Sequence, residues 1–453
     1  MIEYHWCELA LVGGVVRESV AIGVADARFE SVAADVPAPQ GAVVHRGLTI
    51  PGLANAHSHA FHRALRSRTQ TDRGSFWTWR ELMYRAAARL DPDRYHRLAR
   101  ATFAEMALAG VTAVGEFHYV HHRPDGTPYA DPNAMGRALL AAAAEAGIRI
   151  TLLDTLYLQG GLDAAGHIAP TAAQARFDDR AAERWVERVD ELHDGVRGDD
   201  RAMIGAAIHS VRAATPEAMR VVARWATTGG LPLHAHVSEQ PAENDQCRAA
   251  FGCTPTELLR DAGALSERFT AVHATHATLT DIDALAAAGA TVCMCPTTER
   301  DLADGIGPTT ELAAAGVPMA LGSDSHAVID LFEEARALEL DERLRSGARG
   351  AHAAAALIAA SAEHGHRSLG WHDAGSIAVG RRADLVTVAL DSVRTAGASA
   401  GVALETVVFA ATAADVTDVV VDGRPVVVDR QHHEIDAPRE LHRAIIELME
   451  DAR

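Results

Sequence analysis

The chain has 453 residues, of which 48% are hydrophobic and 23% charged, values typical of a folded protein with a large core rather than of a disordered one. Its 42 basic and 61 acidic residues leave a formal net charge of −19, which would repel nucleic acids and anionic membranes over most of the surface. The sequence contains no lysine, which excludes catalysis through a lysine Schiff base or a carbamylated lysine.

The targeting and cysteine patterns suggest an intracellular setting. The first ten residues, MIEYHWCELA, lack the features of a secretion signal, and no apolar run reaches the roughly 18 residues of a membrane span. We therefore expect a cytoplasmic protein with reduced thiols and no membrane partner. Cys293 and Cys295 alternate in TVCMCPTT and are predicted to pack in the core, because zinc sites usually space their cysteines more widely.

The N-terminal segment, residues 1–47, alternates apolar and polar residues in short runs such as SVAIGVADARFESV. This period of two is typical of β-strands. We expect the segment to form the first part of a small β-domain.

Residues 48–370 alternate short β-type runs with helical ones. The eight candidate strands are GLANAHSH, VTAVGEFHYV, IRITLLDTLY, MIGAAIHSV, LPLHAHVSE, FTAVHATH, ATVCMCPTT and VPMALGSDS. Amphipathic stretches such as NAMGRALLAAAAEAG separate them, and many end in a Gly that suits a helix C-cap. Eight β-then-α units predict an α/β fold with a closed, TIM-like (β/α)₈ barrel, and an open doubly wound sheet is the alternative.

The β-type pattern returns in residues 371–435, as in GSIAVGRRADLVTVAL and VTDVVVDGRPVVVD, where Asp422-Gly423 suits a hairpin turn. We predict that residues 1–47 and 371–435 together form a small β-sandwich. Residues 436–453 have helix periodicity and are predicted to form a C-terminal helix.

Polar residues lie at the C-terminal end of nearly every candidate strand of the central segment. They are His57, His59, Tyr119, Tyr157, His209, His236, Glu239, His273, Thr297 and Asp324. In a closed barrel these strand ends meet at one mouth, where the catalytic groups of this fold lie, whereas an open sheet would spread them along an edge. The pattern therefore favours the barrel.

Several of these residues suit a divalent metal ion. His57 and His59 are two residues apart on a strand and so face the same side, while His236 and Asp324 end other strands. Taken singly, each has a plainer explanation: Asp324 is a favoured helix N-cap, and His273 is a core histidine if His276 is the functional one. Five residues of the right types at barrel-strand ends make coincidence a poor explanation.

The motifs HSH, HAHVSE, HATH and GSDS, in this order on eight βα units with a split β-sandwich, resemble the amidohydrolase superfamily over almost the whole chain. The absence of lysine, with a Glu three residues after the third His, is similar to its deaminase branch, which holds one metal ion. Within that branch, the stretches HSHAFHR, SFWTWRELMYR, GEFHYVHH, HSVRA and HATHA resemble the formimidoylglutamate deiminases.

The resemblance implies one Zn²⁺ per chain, with Fe²⁺ or Mn²⁺ as alternatives, bound by His57, His59, His236 and Asp324. It implies that Glu239, His273 and Asp324 act in catalysis. It also implies a set of substrate-binding residues, namely His62, Arg80, Tyr119, His209 and Arg212. His62 departs from the family pattern, which has Gln at this position.

The resemblance further implies a homodimer and a small amidine substrate with two carboxylates. The substrate is N-formimino-L-glutamate, which is converted to N-formyl-L-glutamate and ammonia in histidine degradation. The two arginines suit such a dicarboxylate. Two alternatives stay open: a deaminase of a ring amidine of the guanine, cytosine or triazine type, and a metal-free barrel that serves as a binding module. A module would be expected to have lost metal ligands, which this chain retains.

Overall fold

The computed structural model describes residues 2–70 and 76–450. The strands of this part of the chain are, in order, β1 (Glu3–Val12), β2 (Val15–Ala25), β3 (Arg28–Ala33), β4 (Val43–Pro51), β5 (Leu53–Ser58), β6 (Val111–His118), β7 (Arg149–Leu156), β8 (Gly161–Asp163), β9 (Gly166–Ile168), β10 (Ala202–Ile208), β11 (Leu233–Val237), β12 (Phe269–His273), β13 (Thr291–Met294), β14 (Met319–Leu321), β15 (Leu385–Val388), β16 (Val416–Val421), β17 (Arg424–Val428) and β18 (Gln431–His432).

Helices follow most of the central strands. They are α1 (Phe76–Ala87), α2 (Pro92–Leu108), α3 (Ala134–Glu145), α4 (Ala182–Gly195), α5 (Pro216–Gly229), α6 (Pro241–Phe251), α7 (Pro255–Asp261), α8 (Leu279–Ala288), α9 (Pro296–Asp301), α10 (Thr309–Ala314), α11 (Leu331–Ser346), α12 (Ala354–Ala359), α13 (Gly365–Ser368), α14 (Ala403–Phe409) and α15 (Ala437–Glu450). Helix α15 lies where the C-terminal helix is predicted, and residues 451–453 of that prediction lie outside the described part of the chain.

The central strands form a closed parallel barrel. The sheet order is β14-β13-β12-β11-β10-β7-β6-β5, and each neighbouring pair is parallel. A parallel bridge between Ser58 and Asp324 joins the first strand to the segment that follows the last one, so the sheet closes on itself. The predicted (β/α)₈ fold is confirmed, and the open sheet is excluded.

Local sequence explains why these strands sit inside a layer of helices. All eight residues of β7 are buried, as expected for a parallel strand that is covered on both faces. Helix α5 begins at a Thr215 N-cap that accepts from the N–H of Ala218 and ends at Gly230, whose φ of 63° is left-handed. These caps fix where the helix begins and ends, while the parallel order of the strands brings their C-terminal ends to one mouth.

The two chain ends form a second eight-stranded sheet, with the order β18-β17-β16-β15-β4-β1-β2-β3. Strand β4 joins the two ends, because it pairs in parallel with β1 and antiparallel with β15. This sheet fits the predicted β-sandwich built from both termini, and Asp422 and Gly423 form the turn between β16 and β17 with φ of 50° and 75°. The exact domain boundaries stay a prediction.

Two local features differ from the predicted elements. The strand predicted over ATVCMCPTT ends at Met294, because Pro296 begins α9 instead of continuing the strand. The sequence patterns also did not predict the small hairpin of β8 and β9, whose strands have only three residues each. No helix in the described part of the chain is both long and apolar enough to cross a membrane.

Candidate active site

Four buried side chains meet at the barrel mouth: His57 from β5, His59 directly after β5, His236 from β11, and Asp324 after β14. Each offers one ligand atom, and these atoms all lie within 4.8 Å of one another. Nε2 of His57 lies 3.2 Å from Nε2 of His236, and Oδ1 of Asp324 lies 3.3 Å from Nε2 of His57 and 3.4 Å from that of His59. The structure therefore brings together the four residues predicted as metal ligands.

Hydrogen bonds to the backbone orient two of these imidazoles. Nδ1 of His59 donates to the carbonyl of Phe117 at 2.9 Å, and Nδ1 of His236 donates to the carbonyl of His209 at 2.8 Å. Because Nδ1 carries the proton in both rings, Nε2 presents its lone pair to the centre of the cluster.

The electrostatics of the cluster also suit a cation. Burial is the largest cause that lowers the pKa of each imidazole, and the neighbouring imidazoles lower it further. The pKa values of His57 and His236 lie well below the usual value of histidine, and that of His59 falls to about 3. Neutral imidazoles and one carboxylate are the donor set of a divalent transition metal such as zinc. The residues present therefore fit a resident metal ion.

His273 lies beside the cluster at the end of β12. Its Nε2 is 3.8 Å from Oδ2 of Asp324, and its Nδ1 is 3.4 Å from Oε1 of Glu299. Burial lowers the pKa of His273, but the contact with Glu299 and the other nearby carboxylates raise it to about 10. The alternative residue, His276, donates through Nε2 to the carbonyl of Asp304 at 2.7 Å. His273 is thus the histidine of this segment that faces the cluster.

Glu239 and Arg212 are in direct contact. Nη2 of Arg212 lies 3.3 Å from Oε2 of Glu239, and Oε1 of Glu239 lies 3.9 Å from Nε2 of His273. Glu239, predicted to transfer a proton, and Arg212, predicted to bind the substrate, are therefore neighbours. The sequence did not indicate this contact.

A cavity of about 240 Å³ opens above the cluster. Its lining includes all five residues predicted to bind substrate, which are His62, Arg80, Tyr119, His209 and Arg212. Nε2 of His62 lies 3.1 Å from the Tyr119 hydroxyl, and the guanidinium of Arg80 lies 5.2 Å from the centre of the Tyr84 ring. Ser75 of the SFWTWRELMYR stretch lies outside the described residues.

His209 is a neutral hydrogen-bonding group in this cavity. Burial, followed by His236 and the guanidinium groups of Arg212 and Arg80, lowers its pKa well below the usual value. Both arginines are therefore close enough to act on one imidazole, and both line the same cavity.

Several residues around the site were not predicted from the sequence. Glu299 contacts His273, Glu243 accepts from the backbone of Glu239, and a neighbouring carboxyl, Asp304, has its pKa raised to about 9 by burial and by the nearby Glu239. Glu243 follows Glu239 by four residues, a spacing that would have pointed to it. Glu299 had no such signal, because only the turn after β13 brings it back to His273.

Among the described residues, two other groups combine side chains of metal-ligand type. His118, His121 and Asp154 lie together, but both oxygens of Asp154 already accept from the guanidinium of Arg188 at 2.8 Å, whose charge opposes a cation. The second group, His273, Cys295 and Asp324, shares Asp324 with the four-residue cluster. Cys295 and Cys293 otherwise pack in the barrel core as free thiols.

Comparisons with known proteins agree with this geometry. Residues 48–426 match the model of the amidohydrolase family. The formimidoylglutamate deiminase of Pseudomonas aeruginosa is 39% identical to this chain over 396 residues, which cover 85% of this chain and 86% of that protein. The crystal structure of an amidohydrolase from Brucella melitensis is 33% identical, with a TM-score of 0.91 over 99% of this chain and 100% of that one. An adenosine deaminase from Xanthomonas campestris, crystallised with bound zinc, is 25% identical, with a TM-score of 0.84 over 98% of this chain and 97% of that one.

Proposed function

The chain belongs to the amidohydrolase family and is an enzyme, and from this premise we propose that it hydrolyses N-formimino-L-glutamate to N-formyl-L-glutamate and ammonia in histidine degradation. One observation carries the proposal: a single cavity combines a metal-ligand cluster with two guanidinium groups, those of Arg80 and Arg212. The substrate has two carboxylates and a basic amidine. Guanidinium groups can grip carboxylates through two parallel hydrogen bonds, and a cavity for a neutral ring has no need of two such groups.

The arrangement of charges suggests how the substrate lies. Its amidine nitrogen and its α-carboxylate are attached to the same carbon, so both must sit near the reacting centre. Arg212 contacts Glu239 at 3.3 Å and is the natural partner of the α-carboxylate. Arg80, on α1 at the cavity wall, then takes the side-chain carboxylate.

We propose that His57, His59, His236 and Asp324 bind one Zn²⁺ per chain, with Fe²⁺ or Mn²⁺ as alternatives for the same donor set. When bound, such an ion acidifies a water molecule and so supplies a nucleophile at neutral pH. The support is the buried group of three neutral imidazoles and one carboxylate.

Side chains around the proposed metal site carry out the proton transfers. The amidine enters in its protonated form. Asp324 accepts a proton from the attacking water, and His273 orients the nucleophile towards the formimino carbon, so that the addition gives a neutral tetrahedral centre. Glu239, in its protonated form, donates to the amino nitrogen, the C–N bond breaks and ammonia leaves. The hydroxyl proton of the tetrahedral centre returns to Glu239 as the formamide forms, and the proton on Asp324 leaves with the ammonia as ammonium.

We further propose that the enzyme works as a cytoplasmic homodimer, as its family resemblance implies. Light scattering of the purified protein tests the dimer, because a single-chain mass at micromolar concentration contradicts it.

The substrate is tested by ammonia release from a small panel: N-formimino-L-glutamate, N-formimino-L-aspartate, guanine, cytosine and adenosine. We expect the highest kcat/KM with N-formimino-L-glutamate. A preference for one of the uncharged ring compounds would replace the proposal with a ring-amidine deaminase. Intact fold with negligible metal and no turnover of any compound would favour a binding module.

A further inference from the structure

Three charged side chains stand beside the reacting centre as one group. Arg212 follows β10 and contacts Glu239, which follows the adjacent strand β11, at 3.3 Å. Glu243, in the first turn of α6, is buried, and its Oε2 accepts the backbone N–H of Glu239 at 3.2 Å. The side chains of Arg212 and Glu239 are only 14% and 9% exposed, so water screens their interaction weakly.

Two carboxylates, those of Glu243 and Glu239, act on the charge of Arg212. Burial lowers the pKa of Arg212, but the charge of Glu243, followed by that of Glu239, raises it above its usual value. The guanidinium stays charged, and it contacts the side chain of Glu239 at 3.3 Å.

This arrangement conflicts with the role proposed for Glu239, which must hold a proton in order to donate it. An adjacent guanidinium opposes that state. Binding of a substrate carboxylate at Arg212 reverses the balance, since three carboxylates around one guanidinium in a buried cavity cannot all stay ionised at low cost. Glu239 is the member of the group that lies within reach of His273 and the reacting centre.

We propose that Arg212 couples carboxylate recognition to proton transfer: a carboxylate bound at Arg212 satisfies the guanidinium, releases Glu239 from it and lets Glu239 carry the proton that the leaving nitrogen needs. Glu243 is a positioning residue, because it accepts a hydrogen bond from the backbone N–H of Glu239 and its charge acts on Arg212. The inference rests on the proposed function. It adds that a substrate with a carboxylate at this position differs from one without it in kcat as well as in KM. An amidine without a neighbouring carboxylate binds but reacts slowly.

The test separates the carboxylate from the amidine. N-ethylformamidine, which has no carboxylate, is supplied to the metal-loaded wild-type enzyme with increasing acetate, and ammonia release is measured at constant ionic strength. We expect acetate to raise kcat for N-ethylformamidine saturably by about 10-fold, a factor typical of coupling between two bound ligands. The KM for N-ethylformamidine should change little. No activation by acetate, or inhibition alone, overturns the inference.

Variants locate the effect. Arg212→Met should abolish the acetate activation and lower kcat/KM for N-formimino-L-glutamate. Glu243→Gln keeps an acceptor for the N–H of Glu239 but removes a charge from Arg212, so it should lower kcat for N-formimino-L-glutamate with little change in KM. Glu217→Gln, an exposed carboxylate on α5, is the matched control. If acetate activates Arg212→Met as strongly as it activates the wild type, the effect does not pass through Arg212 and the coupling is wrong.

The two proposals fail in different ways. A wild-type enzyme that does not turn over N-formimino-L-glutamate contradicts the proposed function. An enzyme that turns it over, while acetate has no effect on N-ethylformamidine, contradicts only the coupling. Metal content and melting temperature of each variant show that the fold is retained.

Discussion

Asp324 is linked to His57 twice, once through the backbone and once through the side chain. Its N–H donates to the carbonyl of His57 at 3.0 Å, and its Oδ1 lies 3.3 Å from Nε2 of the same residue. The contact that closes the barrel therefore also assembles the metal-ligand cluster. Barrel closure and metal affinity should depend on each other for this reason.

Metal content follows from this cluster. We expect one divalent ion per chain after dialysis, measured by elemental analysis, and loss of that ion in His57→Ala and in Asp324→Ala, since each variant removes one of four ligands. His276→Ala, which changes a nearby histidine outside the cluster, should keep the ion. Two ions per chain at full occupancy would contradict the mononuclear site.

Glu239 should matter for turnover and not for metal binding. Glu239→Gln removes the group that donates to the leaving nitrogen, so we expect kcat to fall by about 10²-fold or more, the usual scale for loss of a general acid. Elemental analysis should find the metal unchanged. Turnover at the wild-type rate would remove Glu239 from the mechanism.

The two arginines of the cavity should set the affinity for N-formimino-L-glutamate. Arg80→Met and Arg212→Met each remove a charge-assisted contact of about 1.5–3 kcal/mol, so we expect kcat/KM to fall by about 10-fold or more. Steady-state kinetics measure this, with unchanged metal content as a check. Arg220→Met, an exposed arginine paired with Glu217, serves as the control and should behave like the wild type. Wild-type kinetics in both cavity variants would argue against the dicarboxylate substrate.

Arg149 joins the barrel to the second sheet through a buried ion pair. Its side chain is 0% exposed and contacts Asp384, which is 1% exposed, and it also lies 3.0 Å from Asp422. Arg149→Met leaves the carboxylate of Asp384 buried without its guanidinium partner, whereas Asp422 keeps its contact with Arg382, so we expect the free energy of unfolding in urea to fall by about 3–5 kcal/mol. Arg197→Met breaks an exposed pair with Asp194 and should cost less than about 1 kcal/mol. If the free energy of unfolding falls equally in Arg149→Met and Arg197→Met, burial does not make the Arg149 ion pair more important than an exposed one.

Glu116 should make stability depend on pH. Burial raises its pKa to about 8, although Ser58 and the Ala60 N–H donate to it, whereas an unfolded Glu titrates near about 4.3. Between these values the folded state keeps a proton that the unfolded state has lost, so the contribution of Glu116 to stability falls as pH rises from about 4.3 to about 8. The melting temperature of Glu116→Gln minus that of the wild type should therefore be higher at pH 8 than at pH 5. A difference between the two proteins that does not change with pH would contradict this.

Part of the architecture follows from local sequence alone. The alternation of β-type and helical runs predicts the eight barrel strands, and the i, i+2 spacing of His57 and His59 places both on one face of a strand. The structure contains the eight strands, and His57 in β5 and His59 directly after it both reach the metal-ligand cluster. Strand periodicity and helix caps act over a few residues, so the sequence can report them. The roles assigned to individual site residues came from family resemblance and await the measurements above.

The tertiary structure decided which distant groups touch. Glu299 reaches His273, Arg212 reaches Glu239, and Glu243 holds the backbone of Glu239, and periodicity predicted none of these contacts. Each depends on how a loop turns after its strand and on the side-by-side order of the strands, which many residues far apart in the chain fix together. Strand and helix periods report which face a side chain occupies, whereas the distance between two charges depends on the packing of the whole barrel.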